Sequence, residues 1–261
     1  MKIILLTKDL KIAQYFGKSF QVISSLDDLP VHSSIIVMIS YPHIVPEDYL
    51  KVHIFLNVHN SLLPKYRGLH AFTWAIINGE DKLGYTLHLV GSGIDNGPII
   101  NQVEFEIDFS DDINSVFKRA QSVLFKWLDI QLHNLDLSVI NDAVPQDDDL
   151  ATYVCKRRIT DSQICWGKSA FNIHNLIRAV APPYTEGAFS RFREKSIFFP
   201  ESNIYNNSNY IGVNGQVINV ENDGSVLIKC GSGILRIKKV IVDEEVMKPN
   251  QLIKKVGARI G

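Results

Sequence analysis

Three side chains raise the question of chemistry: Asn57, His59 and Asp95. The first two stand two residues apart in Asn57-Val58-His59-Asn60-Ser61-Leu62-Leu63-Pro64-Lys65-Tyr66-Arg67-Gly68, and the third lies in Gly93-Ile94-Asp95-Asn96-Gly97. Residues 52–56, just ahead of Asn57, are largely apolar. If that run is a strand, its alternation puts Asn57 and His59 on one face. A polar pair at the C-terminal end of a strand, leading into a Pro/Gly loop, is where an open α/β sheet places its chemistry. An amide can polarise a carbonyl, an imidazole can move a proton, and a carboxylate can orient that base and stabilise its charged form. Taken singly, each residue has a structural alternative. Asn57 can cap a turn, His59 can be a hydrogen-bonded loop histidine, and Asp95 can close a glycine-flanked turn.

The elements that must position these residues follow from the apolar pattern. Residues 2–6 predict a buried first strand. Residues 11–20 predict a helix with Ile12, Phe16 and Phe20 on one face, and 21–24 and 34–39 two short strands. Strands alternating with helices predict an α/β architecture, a doubly wound, mostly parallel sheet. No Gly-x-Gly-x-x-Gly follows the first strand, so no dinucleotide site of that type is expected. Residues 85–90 form a second strand-like run before the Asp95 loop, and 98–105 a further strand. A long amphipathic helix is expected over 111–135, begun by the acidic cluster at 108–112. Residues 136–165 read as mostly irregular, with Asp147-Asp148-Asp149 a solvated charge run. A helix carrying Ser169, Ile173, Leu176, Ile177 and Val180 stops at Pro182-Pro183. Beyond it come β-rich runs at 188–192, 211–213, 216–220, 225–230 and 233–242. Asn214-Gly215 and Asn222-Asp223-Gly224 mark hairpin turns. The expected organisation is a catalytic domain over 1–150, a linker with a helix over 151–188, and a small antiparallel β domain over 189–261.

At 261 residues and 46% apolar content the chain suits one to two domains with a real core. Lys and Arg total 27 against 28 Asp and Glu, a formal net charge of −1. That balance argues against a broad nucleic-acid surface. Cys155, Cys165 and Cys230 fit neither a disulfide framework nor a metal-ligand spacing and read as buried thiols of a reducing compartment. His32, His43, His53, His88, His133 and His174 read as packing or surface residues, and no metal site is expected. The start, Met-Lys-Ile-Ile-Leu-Leu-Thr-Lys-Asp, lacks the long apolar region of a secretion signal. No run approaches the roughly 18 apolar residues of a membrane helix. The expected setting is the cytoplasm, with neither nucleic acid nor membrane as a partner.

Asn-x-His at 57–59, Ser-Leu-Leu-Pro-Lys-Tyr-Arg-Gly at 61–68, a helix with Trp74, Asn78, Gly79 and Glu80, Gly-x-Thr-x-His at 84–88 and Ile-Asp-x-Gly at 94–97 form one ordered block. The block resembles the folate-dependent formyltransferases, most closely the sugar N-formyltransferases that act on nucleotide-linked amino sugars. The resemblance continues through Asp161-x-x-Ile164-x-Trp166, Ile177-Arg178-Ala179-Val180, Pro182-Pro183-Tyr184 and Gly187-Ala188-Phe189. It implies a Rossmann-like catalytic domain followed by a small β-rich domain. Two departures stand out. The family often reads Pro-x-Pro-Gly-Ala where this chain has Tyr184-Thr185-Glu186-Gly187-Ala188, so the local turn is expected to differ. The stretch ahead of Asn57 is short, so one early strand-helix unit is expected to be abbreviated.

The resemblance implies 10-formyltetrahydrofolate as co-substrate and catalytic roles for Asn57, His59 and Asp95. It implies two walls for the folate, one with Ser40, Tyr41, Ile44 and Val45 and one with Leu89, Gly91 and Gly93, the glycines permitting close backbone approach. It implies that Lys65, Tyr66 and Arg67 frame the acceptor, with Arg67 able to grip a carboxylate or phosphate bidentately and His70 near the substrate. Arg178 and Lys156-Arg157-Arg158 are further phosphate candidates. Trp166 and Tyr184 can stack a nucleotide base or serve as packing. The expected acceptor is a nucleotide-linked amino sugar, a dTDP-amino-dideoxyhexose with its amine at ring position 3 or 4, made for a surface polysaccharide. Methionyl-tRNA is the alternative acceptor, and a non-catalytic sugar-nucleotide or folate-binding module the alternative class. A homodimer through the C-terminal region is expected, with Ile204, Tyr205, Tyr210 and Ile211 as its apolar residues.

Overall fold

The structure, a computed structural model, describes residues 1–206 and 210–261. The chain forms two compact units. The first comprises Met1–Phe72, Lys82–Glu106 and Lys118–Lys156; the second comprises Thr73–Asp81, Ile107–Phe117 and Arg157–Gly261.

Up to residue 156 the elements are β1 (Ile3–Leu6), α1 (Leu10–Phe16), β2 (Gln21–Ile23), β3 (Ile35–Ile39), α2 (Glu47–Leu50), β4 (Ile54–His59), β5 (Arg67–Gly68), α3 (Ala71–Asn78), β6 (Lys82–Leu89), β7 (Ile99–Glu106), α4 (Ile113–Asn134), α5 (Leu137–Asn141) and β8 (Tyr153–Val154). Six strands make one sheet in the order β2-β1-β3-β4-β6-β7. The pairings among β1, β2, β3 and β4 are parallel, and β6 runs antiparallel to both its neighbours. This is the Rossmann-like, mostly parallel sheet expected. β3, Ile-Ile-Val-Met-Ile, is buried at every position, as a strand covered on both faces must be. From Lys118 onward α4 buries Ala120, Leu124, Leu128 and Leu132. In the same stretch the Trp127 ring stacks on Tyr85 and its Nε1–H donates to Asn101 Oδ1 at 2.8 Å.

One local expectation changes. α1 ends at Phe16, where Gly17 closes it by donating to the Ala13 carbonyl, so Phe20 falls beyond the helix. β4 runs through Asn57 and ends at His59, so the polar pair stands at the strand's C-terminal end as expected. The ladder is filled on both sides there: Met38 and Ile39 of β3 pair with Asn57 and Val58, and His88 and Thr86 of β6 pair with Asn57 and His59.

The second unit carries α6 (Ala170–Ala179), β9 (Ala188–Phe192), β10 (Lys195–Phe199), β11 (Asn203–Tyr205), β12 (Val217–Val220), β13 (Val226–Lys229), β14 (Ile234–Ile237), β15 (Val240–Val242), β16 (Glu245–Met247) and α7 (Pro249–Leu252). The strands form two four-stranded antiparallel sheets, β16-β15-β10-β9 and β11-β14-β13-β12. This is the β-rich C-terminal region expected. Its core includes Trp166, Ile173, Ile177, Phe199, Ile228 and Leu235. α6 begins at Ser169, whose hydroxyl accepts the Asn172 N–H at 3.1 Å.

Several expected details differ. Residues 211–213 form no strand. The run 233–242 is two strands, because the exposed pair Lys238-Lys239 breaks the alternation and the chain passes from one sheet to the other. Asn222-Asp223-Gly224 does join the paired strands β12 and β13, whereas Asn214-Gly215 only leads into β12. Cys155 and Cys165 are exposed, contrary to the expectation of buried thiols. Cys230 is buried, and burial pushes its thiol up to about 12. No helix among the described residues is long and apolar enough to cross a membrane.

Candidate active site

Asn57 and His59 leave the same face of β4, and the loop after β6 folds back to bring Asp95 against both. Asn57 Nδ2 donates to Asp95 Oδ1 at 3.3 Å, and His59 Nδ1 lies 3.4 Å from Asp95 Oδ2. The second carboxylate oxygen also accepts the Gly68 N–H at 2.9 Å. Asp95 holds this position at φ 47, in the left-handed region. An aspartate tolerates that conformation better than most side chains, but it still needs support.

The hydrogen bonds set the tautomers. His59 Nε2 is 2.8 Å from the Tyr66 carbonyl. A carbonyl only accepts, so Nε2 carries the proton and Nδ1 of the neutral ring is the free base, facing Asp95. His88 is arranged the other way round. Its Nδ1 donates to the Leu89 carbonyl at 2.7 Å, leaving Nε2 to accept from Asn57 Nδ2 at 3.2 Å. Both hydrogens of the Asn57 amide are therefore engaged, one by His88 and one by Asp95.

Burial depresses the pKa of His59, and the neighbouring His88 adds to this; the Asp95 charge and the Tyr66 carbonyl work against it without cancelling it. His59 is thus a neutral base near neutral pH. Burial works to raise Asp95, but the His88 ring, the charge of His59 and the Gly68 N–H outweigh it, and the carboxyl stays below its ordinary value. A neutral imidazole against a firmly ionised carboxylate is suited to accept a proton and hold it until it is passed on.

The loops around this cluster have their own supports. Thr86 Oγ1 donates to the Ser61 carbonyl at 2.6 Å and accepts the Leu63 N–H at 3.1 Å, pinning the Ser-Leu-Leu-Pro turn to β6. β5 pairs with β8, and Gly68 sits at φ 107, where an added Cβ would collide with the Val154 carbonyl. Gln146 Nε2 donates to the carbonyls of Asp95 at 2.8 Å and Gly97 at 2.7 Å.

The residues expected to wall the folate follow β3 and β6, the two strands that pair with β4 on either side. Ser40, exposed and at φ 52, follows β3 directly. Val45 is buried in an apolar cluster with Phe55 and Met38, onto which Tyr41 and Val90 also pack. Ile44, at 93% exposure, is left facing solvent. Leu89 is half-buried at the end of β6. Gly91 and Gly93 approach closely, but what they approach is the Asn96 side chain, which accepts the Gly93 N–H at 3.1 Å.

The residues expected to frame the acceptor divide. Lys65 and His70 are exposed and Tyr66 is half-buried beside His59. Arg67 is instead built into the fold: it is 1% exposed, and its guanidinium donates to Gln146 Oε1 at 3.1 and 2.8 Å, Tyr153 Oη at 2.8 Å and Asp148 Oδ1 at 2.7 Å. Its donors have partners within the fold, which corrects the expectation of a substrate grip. Arg178 is likewise turned inward, donating to Asn175 Oδ1 at 2.9 Å and to the carbonyls of Asp108 and Asp111. Trp166 is buried against Phe199 with its Nε1–H on Ser190 Oγ at 3.0 Å, a core residue and not an exposed stacking platform. Tyr184 is partly exposed, packs on Phe117 and places its hydroxyl 3.3 Å from Thr73 Oγ1. Two residues at the site were not singled out by sequence. His88 was assigned to packing, although it closes Gly-x-Thr-x-His on a strand whose alternation puts it level with Thr86. Gln146 lies in an irregular segment with no periodic signal.

Comparison with known proteins places this geometry in context. The model described as formyl transferase matches residues 21–129, and that of the formyl transferase C-terminal domain matches residues 158–257. A bifunctional polymyxin resistance protein, ArnA, of Wigglesworthia glossinidia brevipalpis is 37% identical over 201 residues, 74% of this chain but only 30% of its own length. A methionyl-tRNA formyltransferase of Clostridium novyi (strain NT) is 32% identical over 214 residues, covering 80% of this chain and 67% of the relative. Among solved structures, an N-formyltransferase of Helicobacter canadensis in complex with folinic acid and dTDP-3-aminofucose superposes with a TM-score of 0.68 at 20% identity, over 91% of this chain and 98% of the other.

Proposed function

The chain belongs to the folate-dependent formyltransferases, with 10-formyltetrahydrofolate as co-substrate, and from that membership we propose that its acceptor is the amine of a nucleotide-linked amino sugar. One observation carries the catalytic part of this reading: an amide, a neutral imidazole and a carboxylate converge from β4 and the loop after β6. The donor supplies a formyl group on nitrogen. The acceptor amine forms a bond to the formyl carbon, the bond from that carbon to the donor nitrogen breaks, and the amine's proton passes to the departing nitrogen.

Asn57 Nδ2 gives one of its two hydrogens to the formyl oxygen, releasing either Asp95 or His88. A donor of this kind in an acyl-transfer site is worth about 2.7–4 kcal/mol. His59 takes the amine's proton on Nδ1, because Nε2 is occupied by the Tyr66 carbonyl. Asp95 stabilises the resulting imidazolium from 3.4 Å and does not itself take the proton. The loops at 40–45 and 89–95 suit a planar donor, with Tyr41, Val45 and Val90 providing an apolar floor.

For the acceptor, the balance of 27 basic against 28 acidic residues favours a small anionic sugar nucleotide over transfer RNA. The structural likeness to the enzyme solved with dTDP-3-aminofucose supports a dTDP-amino-dideoxyhexose, made for a surface polysaccharide in the cytoplasm. Methionyl-tRNA is the second reading, favoured by the methionyl-tRNA formyltransferases among the sequence relatives. The reading includes a homodimer through the C-terminal region; of the apolar residues expected there Ile211 is exposed, whereas Ile204 and Tyr205 are half-buried and Ile204 packs on the core of the second unit. Light scattering that gives a monomer at micromolar concentration removes that part. The acceptor is tested by formyl transfer from 10-formyltetrahydrofolate to a panel of dTDP- and UDP-amino sugars and to methionyl-tRNA. Turnover on a sugar nucleotide is the expected result. Turnover on methionyl-tRNA alone, weakening steeply with salt, overturns the sugar reading.

A further inference from the structure

Resting on the reading of Asp95 as a catalytic carboxylate, we propose that Gln146, oriented by Arg67, is a positioning residue for Asp95. The argument starts from what each group can do. A guanidinium only donates, and Arg67 directs two of its donors at Gln146 Oε1, at 3.1 and 2.8 Å. The amide oxygen must face the arginine. Its nitrogen is then forced to the opposite side, where it meets two carbonyls, Asp95 at 2.8 Å and Gly97 at 2.7 Å. A flipped amide would set nitrogen donors against the guanidinium and an oxygen against two carbonyls, so the arginine leaves only one orientation.

What the amide holds is a strained turn. Asp95 is at φ 47, and Gly97 packs so closely on the Leu89 carbonyl that a Cβ there would collide with it. By anchoring the carbonyls on both sides of Asn96, Gln146 keeps Asp95 in the one conformation that carries its carboxylate to His59, Asn57 and the Gly68 N–H. Arg67 therefore acts on Asp95 twice: through Gln146 on its carbonyl, and through the next residue's N–H on its carboxylate. Arg67 is itself held by Tyr153 and Asp148, so the segment around β8 takes part in placing the active-site carboxylate.

The experiment reads the His59 ring, which needs no acceptor. In histidine-labelled full-length protein followed by NMR, the His59 signal is assigned by its loss in His59→Asn. Asp95 and His88 are the titratable groups facing that ring, and the Asp95 charge raises its pKa. Asp95→Asn should therefore lower the His59 midpoint. Gln146→Met, which keeps the length and removes the donors, should lower it in the same direction by about half as much or more. A wild-type midpoint in Gln146→Met beside a lowered one in Asp95→Asn overturns the positioning role alone. An unchanged midpoint in both removes the Asp95 reading and this proposal with it. Should Gln146→Met fail to fold, Gln146→Glu keeps the acceptor that faces Arg67 and replaces only the donors facing Asp95. Its crystal structure supports the proposal if the Asp95 carboxylate has left the Gly68 N–H and overturns it if the contact is intact.

Discussion

His59 Nδ1 and Asp95 Oδ2 face each other at 3.4 Å, with the imidazole proton on the far nitrogen. The pair is therefore set up to receive a proton between its members. Asp95→Asn should lower kcat by about 10²-fold or more, with little change in acceptor binding, because the carboxylate matters only once the ring is charged. The sign of the pH effect follows from the charges. His59 must be neutral to act, so activity falls as pH drops through its pKa, which burial sets below the ordinary value of about 6.5. Removing the Asp95 charge lowers that pKa further, and the acid limb of the kcat–pH profile should move to lower pH. A profile that stays in place at full rate would make Asp95 a turn residue only.

His59→Asn should reduce turnover by about 10²–10⁴-fold, the usual contribution of a general base. The circular dichroism spectrum should match wild type. Retention of more than about a tenth of the rate would rule out His59 as the base.

Arg67→Ala tests whether the arginine serves the fold. It removes four donor contacts from a side chain that is 1% exposed, depriving Gln146 Oε1, Tyr153 Oη and Asp148 Oδ1 of the guanidinium. Hydrogen bonds to a buried charge are worth enough that stability should fall by about 2–4 kcal/mol in urea unfolding. An unchanged unfolding midpoint together with a raised acceptor KM would return Arg67 to the role of a substrate grip.

Trp166→Phe should destabilise the second unit by about 1–3 kcal/mol through lost volume and the orphaned Ser190 hydroxyl, with kcat and acceptor KM unchanged. A large rise in KM for a sugar nucleotide, without loss of stability, would place Trp166 against the base after all.

The convergence of Asn57, His59 and Asp95 was legible because the motif is dense and strand alternation alone puts positions 57 and 59 on one face. Asp95 followed from its glycine-flanked loop after a second strand. The arginines misled. Charge reads as exposure, whereas Arg67 is buried by acceptors from residues 146, 148 and 153, remote in sequence and brought near only by the β5–β8 pairing. Gln146 had no signal, since its importance lies in two backbone carbonyls that no side-chain pattern encodes. β10 was hidden for another reason. The hairpin before it turns at Arg193, at φ 56, without the glycine or asparagine that usually marks such a turn.

Glycine at position 68 has a consequence for how this protein can change over time. Its N–H holds Asp95, and the space where a Cβ would go belongs to the Val154 carbonyl. Drift usually loosens an active site by small steps that neighbours can absorb. Here no small step exists, because the least side chain that could replace glycine pushes β8 away and withdraws the donor from the carboxylate in one move. A lineage that lost this glycine would lose local structure and chemistry together, and reversion would be its shortest way back.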